Sequence, residues 1–412
     1  MRIVHFSWEF PPVIYGGLGT FASEITKKQV SFGHQVTVFS FNENNSLPTH
    51  SNSDGIEIYR PKTLDLSQIF YLCADHDLRS WGSYFKFFAD VLSYNVMSAS
   101  QLVNSLVNKN ANTFDIIDAH DWLGLLGGIT AKRELNKPLV FHVHSTEVGR
   151  SVGRGSHTIK DIEFEGGQIA DCVITVSHAM SDELQKLGFP IDKIRVCWNG
   201  VDPNKYDPHT VAEKERTNLR HQYGINDNEI MLFFIGRLVT VKGADKLVKA
   251  MPDVLHDFPN VKLVILGIGD MENELRSLSQ QLGIQDRIIL RTEFVSERER
   301  ILHYAAADVV VLPSLYEPFG IVCTEAMSMA KPVVVGARGT NGFREQIIAE
   351  GDAQCGIHVN PFDPKDIAWG IKQILESDYL SQMGKNGRER VIEHFSWDTV
   401  TKRTIEIYKE FL

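Results

Sequence analysis

The sequence predicts an α/β protein built from two Rossmann-like domains, each with a parallel sheet. Three observations predict it. At 412 residues the chain is longer than one hydrophobic core ordinarily supports. Through the first half, short apolar runs alternate with longer amphipathic stretches, as strands joined by helical crossovers do. That alternation breaks in a polar, proline-bearing segment after Asn199 and then restarts in a block of similar length.

In the first block Arg2–Phe6 reads as a buried strand, Gly19–Ser31 as a helix and Gln35–Phe39 as the next strand. Further strands are expected at Phe114–Ile117, Leu139–His142, Asp171–Val176 and Ile194–Cys197. From Asn199-Gly200-Val201-Asp202-Pro203 to about Gln222 the chain is polar, contains Pro203 and Pro208, and reads as a linker with a short helix. The second block predicts strands at Ile230–Ile235, Val261–Leu266, Arg287–Leu290, Asp308–Leu312 and Pro332–Val335. Between them it predicts helices at Ala244–Leu255, Met271–Leu282, Glu297–Ala306 and Phe319–Met329. Leu380–Leu412 reads as helical, with Ser396 or Asp398 placed to cap the final helix. Ligands of such sheets bind at the carboxyl ends of the strands. Two facing domains would place the site in an inter-domain cleft.

Composition narrows the function. The net charge of −10, from 42 basic and 52 acidic residues, argues against a nucleic-acid binder. Cys73, Cys172, Cys197, Cys323 and Cys355 are scattered without the spacing of a zinc site, and such a sparse odd set suits a reducing cytoplasm. Glu9 and Pro11-Pro12 interrupt the apolar start, so no signal-peptide core is expected. No run of about 18 apolar residues predicts a membrane span.

Four constellations could carry chemistry. Tyr15-Gly16-Gly17-Leu18-Gly19-Thr20 follows the first strand and opens the first helix. Its glycines would let backbone amides approach an anion, although a turn needed only for packing would look the same. Gly236-Arg237-Leu238 with Lys242-Gly243 places two cations at a strand's carboxyl end, where a diphosphate would lie. Two solvated loop cations are the plainer reading. Pro313 to Glu325 carries Glu317 and Glu325 eight residues apart. Glu317 sits before the expected helix and Glu325 inside it, and eight residues of helix rise about 12 Å, near the separation of the two sugars of a sugar nucleotide. Glu317 would then meet hydroxyls of the transferred hexose, Glu325 the ribose diol, and the amides of Phe319, Gly320 and Ile321 the diphosphate. A carboxylate favouring the helix dipole explains Glu317 equally, but Glu325 sits among apolar neighbours and needs partners. Finally, Asp118-Ala119-His120-Asp121-Trp122 and Phe141-His142-Val143-His144 each follow an apolar strand. Asp121 suits sugar hydroxyls and the Trp122 ring suits C–H edges. His142 and His144 share one strand face, yet nothing completes a metal signature, so no metal site is expected.

Together these motifs resemble the retaining GT-B glycosyltransferases of family four, with a flavour of bacterial and archaeal glycogen or starch synthases. The Gly-Gly-Leu loop, Ala119-His120-Asp121-Trp122, Val143-His144, Trp198-Asn199-Gly200-Val201-Asp202, Arg237 with Lys242, the Glu317-to-Glu325 element and Phe395-Ser396-Trp397 carry the resemblance. The synthases' lysine in the first loop is absent, and Gly339-Thr340-Asn341-Gly342-Phe343-Arg344-Glu345 replaces their Thr-Gly-Gly segment. The resemblance implies an acceptor-side domain over 1–200, a linker over 201–222 and a nucleotide-sugar domain over 223–390. It implies a C-terminal helix over 391–412 that returns to the first domain. It implies transfer of a hexose from ADP- or UDP-glucose to a carbohydrate acceptor, an α-glucan first, with no cofactor and no metal. Arg237, Lys242, His144 and Glu317 would serve catalysis. Gly16, Gly17, Phe319, Gly320 and Glu325 would hold the donor, and Asp121 and Trp122 the acceptor or sugar. A lipid, small-metabolite or exopolysaccharide acceptor is the alternative within the family. A non-catalytic sugar-nucleotide binder is the alternative outside it. A Rossmann oxidoreductase is disfavoured, because no Gly-x-Gly-x-x-Gly with an acidic ribose partner is present.

Overall fold

A computed structural model describes all 412 residues. Their contacts separate into two units, Met1–Trp198 with Val400–Leu412, and Asn199–Thr399.

The first unit holds an eight-stranded sheet: β1 (Arg2–Phe6), β2 (Gln35–Phe39), β3 (His50–Ser53), β4 (Ile56–Tyr59), β5 (Ile116–His120), β6 (Leu139–Val143), β7 (Cys172–Thr175) and β8 (Ile194–Val196). Its order is β3-β4-β2-β1-β5-β6-β7-β8, parallel except for β3 against β4. Strand alternation gives the central strands two different faces. Val4, Phe6, Ile117, Ala119, Leu139, Phe141 and Val143 pack into an apolar core. The other face carries His5, Asp118, His120 and His142, all buried. Register pairs His5 with Asp118 and His120 with His142.

The second unit holds β9 (Ile230–Ile235), β10 (Val261–Leu266), β11 (Ile288–Arg291), β12 (Val309–Leu312), β13 (Val333–Gly336) and β14 (Gly356–Val359), in the order β11-β10-β9-β12-β13-β14. All its pairs are parallel. Leu232, Phe234, Leu263, Ile265, Val309, Val311 and Val334 pack with the helices Ala244–Asp257 and Pro364–Leu375. Residues 201–222 lie in this unit. The helix Glu213–Gln222 packs on Glu297–Ala306, and Arg298 reaches the Thr210 carbonyl at 3.0 Å and Glu215 at 2.8 Å.

Most strands and helices lie within two residues of the sequence expectation. The main additions are β3, β4 and β14, the long helix Phe85–Ser100 with its continuation Gln101–Lys109, and Pro364–Leu375. The expected C-terminal helix is two helices, Leu380–His394 and Trp397–Lys409, broken where Ser396 Oγ accepts the Thr399 amide at 3.3 Å. No helix is long and apolar enough to cross a membrane.

Candidate active site

In the second sheet the chain order reverses between β9 and β12, and ligands of open α/β sheets gather at such switch points. The loops leaving these two strands carry Arg237 and Lys242 on one side, and Glu317 to Glu325 on the other. The loops touch closely. Gly243 has φ 71°, and a Cβ there would stand 2.1 Å from the Pro313 carbonyl oxygen, so only glycine fits.

Lys242 Nζ donates to Glu317 Oε2 at 2.5 Å, joining two of the residues singled out in the sequence. Ser314 Oγ donates to the same carboxylate oxygen at 3.2 Å. The Glu317 backbone is fixed by the loop after β13. Its amide donates to Thr340 O at 3.1 Å, its carbonyl accepts from the Gly342 amide at 2.7 Å, and buried Asn341 donates to Ser314 O at 2.8 Å. The segment Gly339–Glu345, the one that departs from the synthase pattern, is therefore what sets Glu317. Arg237 is exposed on its loop.

The helix after β12 runs Ile321–Ser328 and starts later than expected. Gly320, at φ 87°, sits at its N-cap, so Glu317 to Gly320 are not helical and the 12 Å spacing from eight helical residues does not apply. The N-cap makes no side-chain hydrogen bond, and the amides of Phe319, Gly320 and Ile321 donate to no protein group. Free amides at a helix start favour an anion. The Phe319 ring is buried edge-on against Phe395 at 5.9 Å, so Phe319 can offer a ligand only its backbone. Glu325, on the same helix, has the partners its burial demands. Tyr304 donates to Oε2 at 2.7 Å, and Arg300 lies 4.0 Å from Oε1. Burial and the Glu325 charge together push the Tyr304 phenol well above its ordinary range.

A Cβ on Gly320 would stand 2.1 Å from the Phe343 ring and 2.8 Å from Glu317 Cγ. Gly320→Ala is expected to cost about 2 kcal/mol of stability through strain and overpacking. Urea unfolding followed by circular dichroism checks this, and an unchanged midpoint would contradict it.

In the first sheet the order reverses between β1 and β5. After β1, Tyr15 and Gly16 donate their amides to Glu9 Oε2 at 2.9 and 3.0 Å. Cβ atoms built on Gly16 and Gly17 would meet nothing within 4 Å, so this helix start borders open space. After β5, Asp121 takes a φ of 49°, and its Oδ1 accepts the His144 amide at 2.7 Å and the Ser145 amide at 3.3 Å. Asp121 thus ties the end of β5 to the end of β6; burial raises its carboxyl pKa. Trp122 is displaced from the role expected of it. Its ring is buried, stacked on Phe88 at 6.1 Å and edge-on to Phe87 at 6.0 Å, and presents no face to a sugar.

His144 ends a buried polar chain. Its Nε2 lies 3.1 Å from His120 Nδ1, His120 Nε2 lies 3.0 Å from His5 Nδ1, and His5 Nε2 lies 2.8 Å from Gln29 Oε1. Beneath them Asp118 meets His142 Nδ1 at 3.4 Å and accepts the Tyr408 hydroxyl. Burial holds the His5, His120 and His144 imidazoles neutral, with His120 lowered to about 3. Burial alone would raise Asp118, but the His120 and His142 imidazoles outweigh it and hold the carboxyl below its ordinary range. Three histidines close enough to share a cation are present, but His142 and His144 stack at 4.6 Å with 5° between their planes. Imidazole lone pairs lie in the ring plane, so rings stacked in this way do not converge on one ion.

The sequence did not single out Ser314 and Asn341 around Glu317, Tyr304 and Arg300 around Glu325, or His5, Gln29 and Tyr408 behind His144. His5 had a signal, a polar residue in an otherwise apolar strand. Tyr408 had none, since it meets Asp118 from 290 residues away.

Comparison with known proteins identifies the family. Residues 15–205 match glycosyltransferase family four, and residues 215–390 match the glycosyl transferases of group 1. An uncharacterized glycosyltransferase of Methanocaldococcus jannaschii is 34% identical over 99% of this chain and 98% of its own. A glycogen synthase of Mycobacterium tuberculosis is 28% identical over 99% of this chain and 94% of its own. Among solved structures, Anabaena HepE in complex with UDP and glucose superposes with a TM-score of 0.73 at 21% identity, with all of both chains covered. The chain belongs to the GT-B glycosyltransferases of family four.

Proposed function

We propose that the protein transfers a hexose, glucose first, from a nucleoside-diphosphate sugar to a carbohydrate acceptor with retention of configuration. The observation that carries this reading is the Lys242–Glu317 pair beside three free amides at the switch point of the second sheet. Departure of a nucleoside diphosphate leaves negative charge, and a preorganised cluster of cations and amides stabilises it without reorganisation. Lys242, Arg237 and the Phe319–Ile321 amides form that cluster. Glu317 hydrogen-bonds hexose hydroxyls through the lone pairs that Lys242 and Ser314 leave free, and Glu325 binds the ribose. In the first unit, the open Gly16-Gly17 helix start favours an anion, and His144 faces sugar hydroxyls. Glu317 binds the sugar rather than attacking its carbon, and retention proceeds by front-face attack, with a diphosphate oxygen taking the acceptor's proton.

Incorporation of labelled glucose from ADP-glucose and UDP-glucose into glycogen or maltooligosaccharide tests the reading. Transfer from one of them is expected, and it should persist in excess EDTA, because protein cations rather than a divalent ion neutralise the leaving group. A complete, metal-reversible loss would overturn that assignment, and transfer only to other acceptors would overturn the glucan. One observation favours a second acceptor class. Leu64, Ile69, Leu72 and Tyr84, within 21 residues of one another in the first unit, are all more than half exposed, and exposed apolar side chains suit a lipid-linked acceptor. Transfer to a polyprenyl or diacylglycerol acceptor in the same assay would select it.

A further inference from the structure

We propose that Gln29, His5 and His120 are positioning residues that fix which nitrogen of His144 carries its proton, leaving a bare Nδ1 to accept a hydrogen bond from a ligand hydroxyl. The proposal rests on the reading of His144 as a sugar-facing residue and deepens it.

A neutral imidazole carries one proton, so each ring in a chain of neutral histidines donates once and accepts once. His5 and His120 are fully buried, and burial keeps all three rings of the chain uncharged. The direction of the chain is then set by whatever stands at its closed end. There Gln29 places its carbonyl oxygen 2.8 Å from His5 Nε2, and a carbonyl only accepts. His5 therefore carries its proton on Nε2 and accepts at Nδ1 from His120 Nε2, 3.0 Å away. His120 in turn accepts at Nδ1 from His144 Nε2, 3.1 Å away. One amide oxygen thus fixes three rings. His142 takes the other tautomer, because its Nδ1 faces the Asp118 carboxylate at 3.4 Å. His144 is the one partly exposed member, and its remaining nitrogen is an acceptor. That nitrogen accepts from a sugar hydroxyl and repels a phosphate oxygen, which has no proton to give. His144 thereby separates the sugar end of a nucleotide sugar from its diphosphate.

Long-range ¹H–¹⁵N correlation of histidine-labelled protein at neutral pH, without substrate, tests the proposal. Nε2-protonated patterns are expected for His5, His120 and His144, and an Nδ1-protonated pattern for His142. An Nδ1 proton on any of the first three overturns it. In Gln29→Leu the His144 pattern should become mixed, and kcat should fall about tenfold with KM little changed. A Gln29→Leu protein with tautomers and rate unchanged would also overturn the proposal. Should Gln29→Leu fail to fold, the spectrum of the unsubstituted protein still decides. Because the spectrum needs no substrate, tautomers as stated with no glycosyl transfer would instead sink the transferase reading.

Discussion

Lys242→Ala is expected to lower glycosyl transfer by about a hundredfold or more, corresponding to about 3 kcal/mol of lost transition-state stabilisation. Two effects contribute. The departing diphosphate loses a cation, and Glu317, buried and held by Lys242 at 2.5 Å, loses its counter-charge. Removing one partner of a buried pair strands the other. Glu317 would retain only Ser314 Oγ as a side-chain donor. The two effects separate in a double-mutant cycle of Lys242→Ala with Glu317→Gln, read in both kcat and unfolding free energy. A large coupling in stability with an undiminished rate loss in the Gln background would assign Lys242 to the leaving group. Arg237→Ala should show a comparable rate loss with no stability cost, because Arg237 is exposed. Near-normal turnover in both single variants would remove the clamp from the mechanism.

The second large effect is expected in acid. The His5 and His120 pKa values are lowered in the folded state, principally by burial. An unfolded chain titrates its histidines near 6.5, so on acidification it takes up protons before the folded chain does. Stability is therefore full above about 6.5 and falls as pH drops toward the folded values, about 3 for His120. Each such group costs about 1.4 kcal/mol per pH unit in that window. His120 alone should cost about 1.4 kcal/mol between pH 7.5 and 5.5, with His5 and His144 acting in the same direction and Glu163, whose carboxyl burial raises to about 8, acting against them. Urea unfolding at the two pH values measures this. Substituting His5 and His120 by phenylalanine should remove the histidine loss, and a pH dependence identical in the folded variant and the unsubstituted protein would refute the assignment.

The fold was legible because most central strands of both sheets contain a short apolar run, and such runs need only composition to be recognised. β3 was not, since His50-Ser51-Asn52-Ser53 is polar throughout and is held by pairing with β4 rather than by burial. The candidate site was legible where a charged residue stands just beyond a strand's carboxyl end, as with Lys242 and Glu317, which the structure brings into contact. It was illegible where a residue acts through packing. Trp122 carries a sugar-binding side chain, and nothing local shows that Phe87 and Phe88 enclose it. Helix geometry between Glu317 and Glu325 also misled, because Gly320 in a left-handed conformation sets the helix start, and one glycine in a short motif does not announce its φ.

The first unit is assembled from both ends of the chain, residues 1–198 and 400–412, and Tyr408 from the second piece donates to Asp118 in the first. A chimera between two such enzymes that crosses over once near residue 198 would leave one parent's Asp118 facing the other parent's C-terminal helix. Exchanging the first unit by recombination therefore calls for two crossovers, with the last thirteen residues travelling alongside the first 198. A single-crossover hybrid should express poorly wherever the two parents differ at position 408.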